Sequence, residues 1–264
     1  EIYLVIVVFL FVLAVFDLMV GVSNDAVNFL NSAIGAKVAK FRTIIIVAAV
    51  GVFLGATMSN GMMEVARHGI FHPAMFSMKE LMFIFLAVMV SDVILLDIFN
   101  NLGLPTSTTV SLVFELLGGT TAFVLLKLAN DTTGLTVGDL MNTEKALGMI
   151  MAIFVSVAIA FFFGIVLQYI SRLVFTFTYK KNLKWKIGIF GGIATTAIFY
   201  FMLFKGIKSM SFVTPEIQEY IQSNTLTFLG ICFLASTAVM QILYFLKVNV
   251  FKILVLMGTF ALAM

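Results

Sequence analysis

The chain is poor in cysteine, proline, histidine, tryptophan and charge: among 264 residues there are one Cys, three Pro, two His and one Trp, and 11% of the chain is charged. The single cysteine, Cys232, sits inside an apolar run, which excludes a disulfide framework and a CxxC metal or redox site. His68 and His72 stand four apart, a spacing that suits a metal only with a third ligand, and Gly69 and Pro73 work against a regular helix there. The scarcity of charge excludes an ordinary soluble domain, which needs polar groups to cover its surface. Nor does the net charge of +3 point to nucleic acid, because the basic residues lie between apolar runs and follow a membrane logic. No nucleophile–base pair and no phosphate-cradling P-loop is visible, so an enzyme reading has only scattered carboxylates to stand on. No enzyme and no organic cofactor are expected.

What is abundant is apolar: 62% of residues are hydrophobic, with 29 Phe, 16 Met and a mean hydropathy of +1.14. These residues form continuous runs of helix-spanning length, not the short alternating segments of a transmembrane barrel. The expected fold is therefore all-α, a polytopic membrane protein of about eight apolar segments: 2–20, 43–63, 80–101, 106–129, 146–171, 185–205, 224–246 and 249 onward. The chain opens on Glu1 with no basic leader region, and the last segment stops at Met264 without a flanking charge, which suggests a truncated chain. Lys and Arg set the orientation. Ten lie in loops after odd segments (Lys37, Lys40, Arg42, Arg172, Lys180, Lys181, Lys184, Lys186, Lys247, Lys252), and six lie opposite (Arg67, Lys79, Lys127, Lys145, Lys205, Lys208). The N-terminus is thus expected outside, in a multi-pass protein of the plasma (inner) membrane.

Two stretches concentrate polar chemistry. Gly21 to Ser32 follows the first apolar run and brings Asn24, Asp25, Asn28 and Asn31 together with Ser23 and Ser32. Such groups are costly among lipid tails unless they meet one another, water or a solute. On a helix, Asp17, Gly21, Asn24 and Asn28 share a face, and Gly21 allows the helix to break and free backbone ligands. The density of oxygen ligands, without Lys or Arg, favours an ion or anion site; a polar helix end reaching the headgroups is the plainer alternative.

The second stretch, 100–109, carries no charge. Pro105 stops a helix arriving from the third segment, and Thr106, Ser107, Thr108 and Thr109 then occupy the first turn of the fourth. Free amides, the positive end of the helix dipole and four hydroxyls together make an anion site, as in the discontinuous helices of secondary transporters. An ordinary turn with a Thr cap is the alternative. Asp92, Asp97 and Glu115 lie within apolar segments and should face a cavity, pair or take up a proton; Asp97 could equally cap helix amides near the break. The loops 130–145 and 207–223 read as solvated external connections, and Gly51 with Gly55 as a helix-packing pair.

Asn24-Asp25-Ala26-Val27-Asn28, preceded by Gly21 and followed by Ile34-Gly35, resembles the Gly-Ala-Asn-Asp-Val-Ala-Asn signature of the inorganic phosphate transporter family. Gly103-Leu104-Pro105-Thr106-Ser107-Thr108-Thr109 resembles that family's Gly-Leu-Pro-Val-Ser-Thr-Thr-His motif, and Glu64 to Ile70 its Glu-Thr-Ile-Arg-Lys-Gly-Ile segment. The likeness covers roughly residues 10–120. It implies a symporter carrying inorganic phosphate inward with sodium or protons, built from two inverted repeats that each hold a re-entrant hairpin. Residues 1–246 would then be the N-terminal repeat with linking helices, and 247–264 the start of the second repeat. Carried over by position, Asp25, Asn28, Ser107, Thr108 and Thr109 would bind phosphate. Asn24, Asp25 and Asn28 would bind the cation, Glu64 would be linked to transport, and no metal beyond a possible sodium is implied. The expected partners are phosphate and the lipid bilayer, with a homo-oligomer possible. The chain departs from the pattern where Val110 replaces the hairpin His, Glu115 a small residue, and Asn31-Ser32 a Gly-Thr pair; Asp17, Asp92 and Asp97 are additional acids. The coupling ion is therefore open. Sulfate on the same fold, or a cation channel lined by Asp25, Asp92 and Asp97, are the rival readings.

Overall fold

The computed structural model describes residues 2–58, 69–130, 134–176, 183–202 and 214–264, most of them helical, with no strand among them. In chain order the α-helices are α1 (Ile2–Gly35), α2 (Phe41–Met58), α3 (Met78–Leu102), α4 (Thr108–Ala129), α5 (Val137–Leu140), α6 (Thr143–Phe175), α7 (Leu183–Tyr200), α8 (Pro215–Ser223), α9 (Thr225–Phe245) and α10 (Val250–Ala263). Of these, α1, α3, α4, α6 and α9 are long and apolar enough to cross a membrane; α2 and α10 are apolar but shorter. Their outward faces are apolar because lipid, unlike water, makes no demand for polar cover.

The break that Gly21 allows is not taken: α1 runs unbroken for 34 residues, about 50 Å at about 1.5 Å per residue. One interior glycine costs a helix only about 1 kcal/mol, less than the backbone bonds a break would leave open in hydrocarbon. The expected interruption before Thr108 is present. α3 ends on Gly103 in the left-handed region (φ 67°), and α4 begins at Thr108, capped by Ser107, whose hydroxyl accepts the Val110 N–H at 3.4 Å. Pro105 disfavours helical backbone at the residue before it, and helix resumes only after the extended cap residue Ser107.

The chain divides into two compact units. The first, Glu1–Val27 with Gly61–Ile159, has a core of Ile70, Phe71, Phe76, Ile84, Val88, Val113, Leu116, Val124, Leu140 and Met141. Here the reading of 130–145 as a solvated connection fails in part. Leu140 and Met141 are buried, and the segment pairs with Ile70 to His72 through His72 N–H to Leu140 C=O (3.0 Å) and Asn142 N–H to Ile70 C=O (2.9 Å). A short apolar pair in an otherwise polar loop was the missed signal. Lys127 braces the same end, bonding the Glu80 carboxylate at 2.9 Å and the Met75 carbonyl at 2.9 Å.

The second unit, Asn28–Asn60 with Ala160–Met264, centres on Ile187, Met240, Val250 and Leu254, with edge-to-face contacts of Phe175 with Phe190 and Phe251. Its helices approach closely at glycines: α7 lays Gly188, Gly191 and Gly192 on Gln241, Met240 and Thr237 of α9. Gly51 and Gly55 of α2 do the same against the end of α10, as a packing pair should.

Candidate functional site

The site lies within the first unit, where α1 meets the end of α3 and the start of α4. The Gly103 and Leu104 N–H groups still bond α3 carbonyls and the Ser107 carbonyl accepts from α4, but between them the Leu104 carbonyl and the Thr106 N–H, on either side of Pro105, need partners from elsewhere. Asn24 supplies them. Its side-chain oxygen accepts the Thr106 N–H at 2.7 Å, and its amide donates to the Leu104 carbonyl at 3.2 Å and to Asn100 Oδ1 at 2.8 Å. Asn100 donates in turn to the Val20 carbonyl at 3.1 Å. Asn24 is 2% exposed, and the backbone it bonds leaves it pointing away from solvent.

One residue further along α1, half-buried Asp25 accepts the Thr108 hydroxyl at 2.7 Å. The two acidic and hydroxyl stretches, 83 residues apart in sequence, thus converge on one point. Beside it is a cavity of about 260 Å³ lined by Asp17, Gly21, Asp25, Asp92, Thr108 and Thr109, with Leu18, Val22, Leu96 and Leu112 as its apolar walls. Gly21 faces this cavity; a Cβ there would stand 3.6 Å from Thr108 Cγ2 and 3.7 Å from Leu96 Cδ1. Its place is therefore at the contact between α1 and α4, not at a break.

Around Asp92 lies a cluster of acids. Asp92 is 4% exposed and accepts the Ser111 hydroxyl at 3.1 Å, while the same hydroxyl contacts Glu115 Oε1 at 3.0 Å. Asp17 comes within hydrogen-bonding reach of Asp92 from α1. A hydroxyl carries one hydrogen, so Ser111 can donate to only one of its two carboxylates at a time. Asp17 Oδ1 and Glu115 Oε2 are buried without a hydrogen-bond partner.

Among the sequence-designated residues, Asp25, Thr108 and Thr109 share the cavity. Ser107 is placed as the cap of α4, and Thr106 precedes the helix instead of entering its first turn. Asn24 is engaged with the α3–α4 connection, and Asn28 is exposed on the next turn of α1, within the second unit. Asp97 accepts from Asn101 Nδ2 at 3.1 Å, within its own helix. Glu64, Arg67 and His68 lie outside the described residues. Asn100 and Ser111 were not singled out from sequence. For Asn100 the signal was periodicity: Asp92, Leu96 and Asn100 recur every four residues and so share one face of α3; for Ser111 it was the four-residue step to Glu115 on α4.

The sequence matches the family model described as the phosphate transporter family over residues 21–229. Comparison with curated proteins and with solved structures gives no match.

Proposed function

The chain belongs to the phosphate transporter family, and from that premise we propose that it is a secondary active transporter that imports inorganic phosphate with sodium or protons by alternating access. The observation that carries the reading is the 2.7 Å bond from Thr108 Oγ1 to Asp25 Oδ2 beside the cavity. Thr108 and Thr109 begin a helix, where hydroxyls and the helix dipole favour an oxyanion. Asp25 beside them repels one unless a cation stands between. An anion and a cation that bind only together are, in free-energy terms, coupled, and that is what a symporter requires.

The acid cluster supports a positively charged companion. With one hydrogen on Ser111 between two carboxylates, the second contact calls for a proton or a cation supplied from elsewhere. Neutral donors and a helix end, with no Arg among the cavity residues, suit a solute that must also be released. In this reading Asp25, Thr108 and Thr109 hold phosphate, with Ser107 at the cap of α4 beside them. About eight apolar segments, two of them forming a re-entrant hairpin around Pro105, an N-terminus outside, and a second inverted repeat beginning near 247 belong to the same proposal.

Uptake of labelled phosphate into proteoliposomes tests it. Accumulation should follow an inward sodium or proton gradient, collapse when the gradient is dissipated, and resist a large excess of sulfate. Displacement by sulfate would reassign the solute. A cation current in a planar bilayer without any anion would replace the carrier by a channel.

A further inference from the structure

We propose that Asn24 and Asn100 form a latch that positions the phosphate site, with Asn24 acting on backbone instead of ligating the coupling cation. Pro105 has no N–H and ends helical backbone, leaving the Leu104 carbonyl and the Thr106 N–H on either side of it without helical partners. The carboxamide of Asn24 satisfies both, accepting from Thr106 at 2.7 Å and donating to Leu104 at 3.2 Å. It thus stands in for a peptide group of a neighbouring strand. Its remaining N–H goes to Asn100 Oδ1 at 2.8 Å, and Asn100 closes the circuit on the Val20 carbonyl at 3.1 Å, back on α1.

Both donors of Asn24 and its oxygen are therefore engaged, in a residue 2% exposed. Only a neutral amide fits this demand. Aspartate lacks both donors and would press a carboxylate against the Leu104 carbonyl; a longer side chain would push the connection away. Asp25, the next residue on α1, projects about 100° round the helix and takes the Thr108 hydroxyl at 2.7 Å. With Asn24 gripping the backbone just before α4, the distance from Asp25 to Thr108 is set by the latch. Side-chain networks buried in this way act as a unit, because each unmade bond leaves a costly orphan.

The role in transport rests on the phosphate reading above, so the test has two arms. In the first, Asp25→Cys and Thr108→Cys are introduced together on a Cys232→Ser background, and cross-linking by a short thiol–thiol reagent is followed. Adding Asn100→Leu should lower the cross-linked fraction several-fold. Asn100→Asp, which keeps the acceptor for Asn24 but turns a carboxylate on the Val20 carbonyl, should also stay below the native yield; a native yield with it would overturn the closing bond to α1. An unchanged yield with Asn100→Leu overturns the latch. In the second arm, Asn100→Leu in the otherwise native protein should raise the KM for phosphate about tenfold, as expected when the two bonds of a buried amide are lost together. The half-saturating cation concentration and the maximal rate should stay within about twofold. A shift confined to cation dependence overturns the positioning role in favour of a cation ligand. If the native protein takes up no phosphate, the transport reading falls and the cross-linking arm alone decides the latch.

Discussion

Thr108 Oγ1 donates to Asp25 Oδ2 at 2.7 Å, joining the start of α4 to the middle of α1. A threonine hydroxyl has one hydrogen to give, so an oxyanion arriving in the adjoining cavity competes with Asp25 for it. The carboxylate released by that exchange needs another positive partner. On the proposed function, the binding of anion and of cation at this pair would be a single event.

Removing either side of the pair should abolish transport without unfolding the protein. Asp25→Asn and Thr108→Ala should each lower phosphate uptake at least about tenfold, the loss expected for a hydrogen bond to a charged group. Thr108→Ser, which keeps the hydroxyl, should retain most of the activity. Size-exclusion profiles in detergent should match the native protein; near-normal uptake by both loss variants would remove the site.

The acid cluster should govern the coupling ion more than the solute. Asp92→Asn leaves an oxygen for Ser111 to bond but replaces an acid of the cluster by a neutral amide. The half-saturating concentration of the coupling ion should shift several-fold, and phosphate KM measured at saturating ion should change little. Equal shifts in both would merge the cluster with the phosphate site.

Helix packing in the second unit should be intolerant at one glycine and tolerant at another. A Cβ at Gly192 would lie 3.1 Å from Thr237 Cβ and 3.2 Å from its Cα, and would collide with the Thr237 hydroxyl. Gly192→Val should cost about 1–3 kcal/mol, read as a lower thermal midpoint. A Cβ at Gly164 would meet nothing within 4 Å, so Gly164→Ala should be neutral or stabilise α6 by about 0.5–1 kcal/mol.

Outside the spanning helices, Asp139 gives stability a measurable pH dependence. The Thr136 hydroxyl and backbone N–H, at 2.6 and 2.8 Å, hold its carboxyl below the ordinary value of 3.8. A depressed folded-state value means that the contribution is present above the unfolded value and is lost as pH falls through the folded one. The stability difference between the native protein and Asp139→Asn should therefore be constant above about pH 5 and shrink below about pH 4. Thermal midpoints across pH 2.5–6 check the sign; a difference that grows on acidification would contradict the geometry.

The interruption before α4 was readable at Pro105, whose missing N–H and hold on the preceding residue are local; that Ser107 caps the helix and Thr106 stays outside it was not. The unbroken course of α1 through Gly21 was not, because one glycine permits a break without requiring it, and the choice fell to the cost of open backbone bonds in an apolar surrounding. Leu140 and Met141 were likewise misread as part of a solvated loop, since burial of two residues depends on what folds over them.

By itself the sequence determined that this is an all-helical chain of membrane-length segments, where its polar stretches lie, and which residues could serve an oxyanion and a cation. Those properties follow from composition, period and local backbone chemistry, which need no knowledge of distant neighbours. Only the tertiary structure decided that Thr108 meets Asp25, that Asn24 is taken up by the backbone around Pro105, and that Ser111 lies between Asp92 and Glu115. Each is a contact between residues of different helices or successive turns, and a hydrogen bond's partner is selected by the packing of whole helices, not by spacing along the chain.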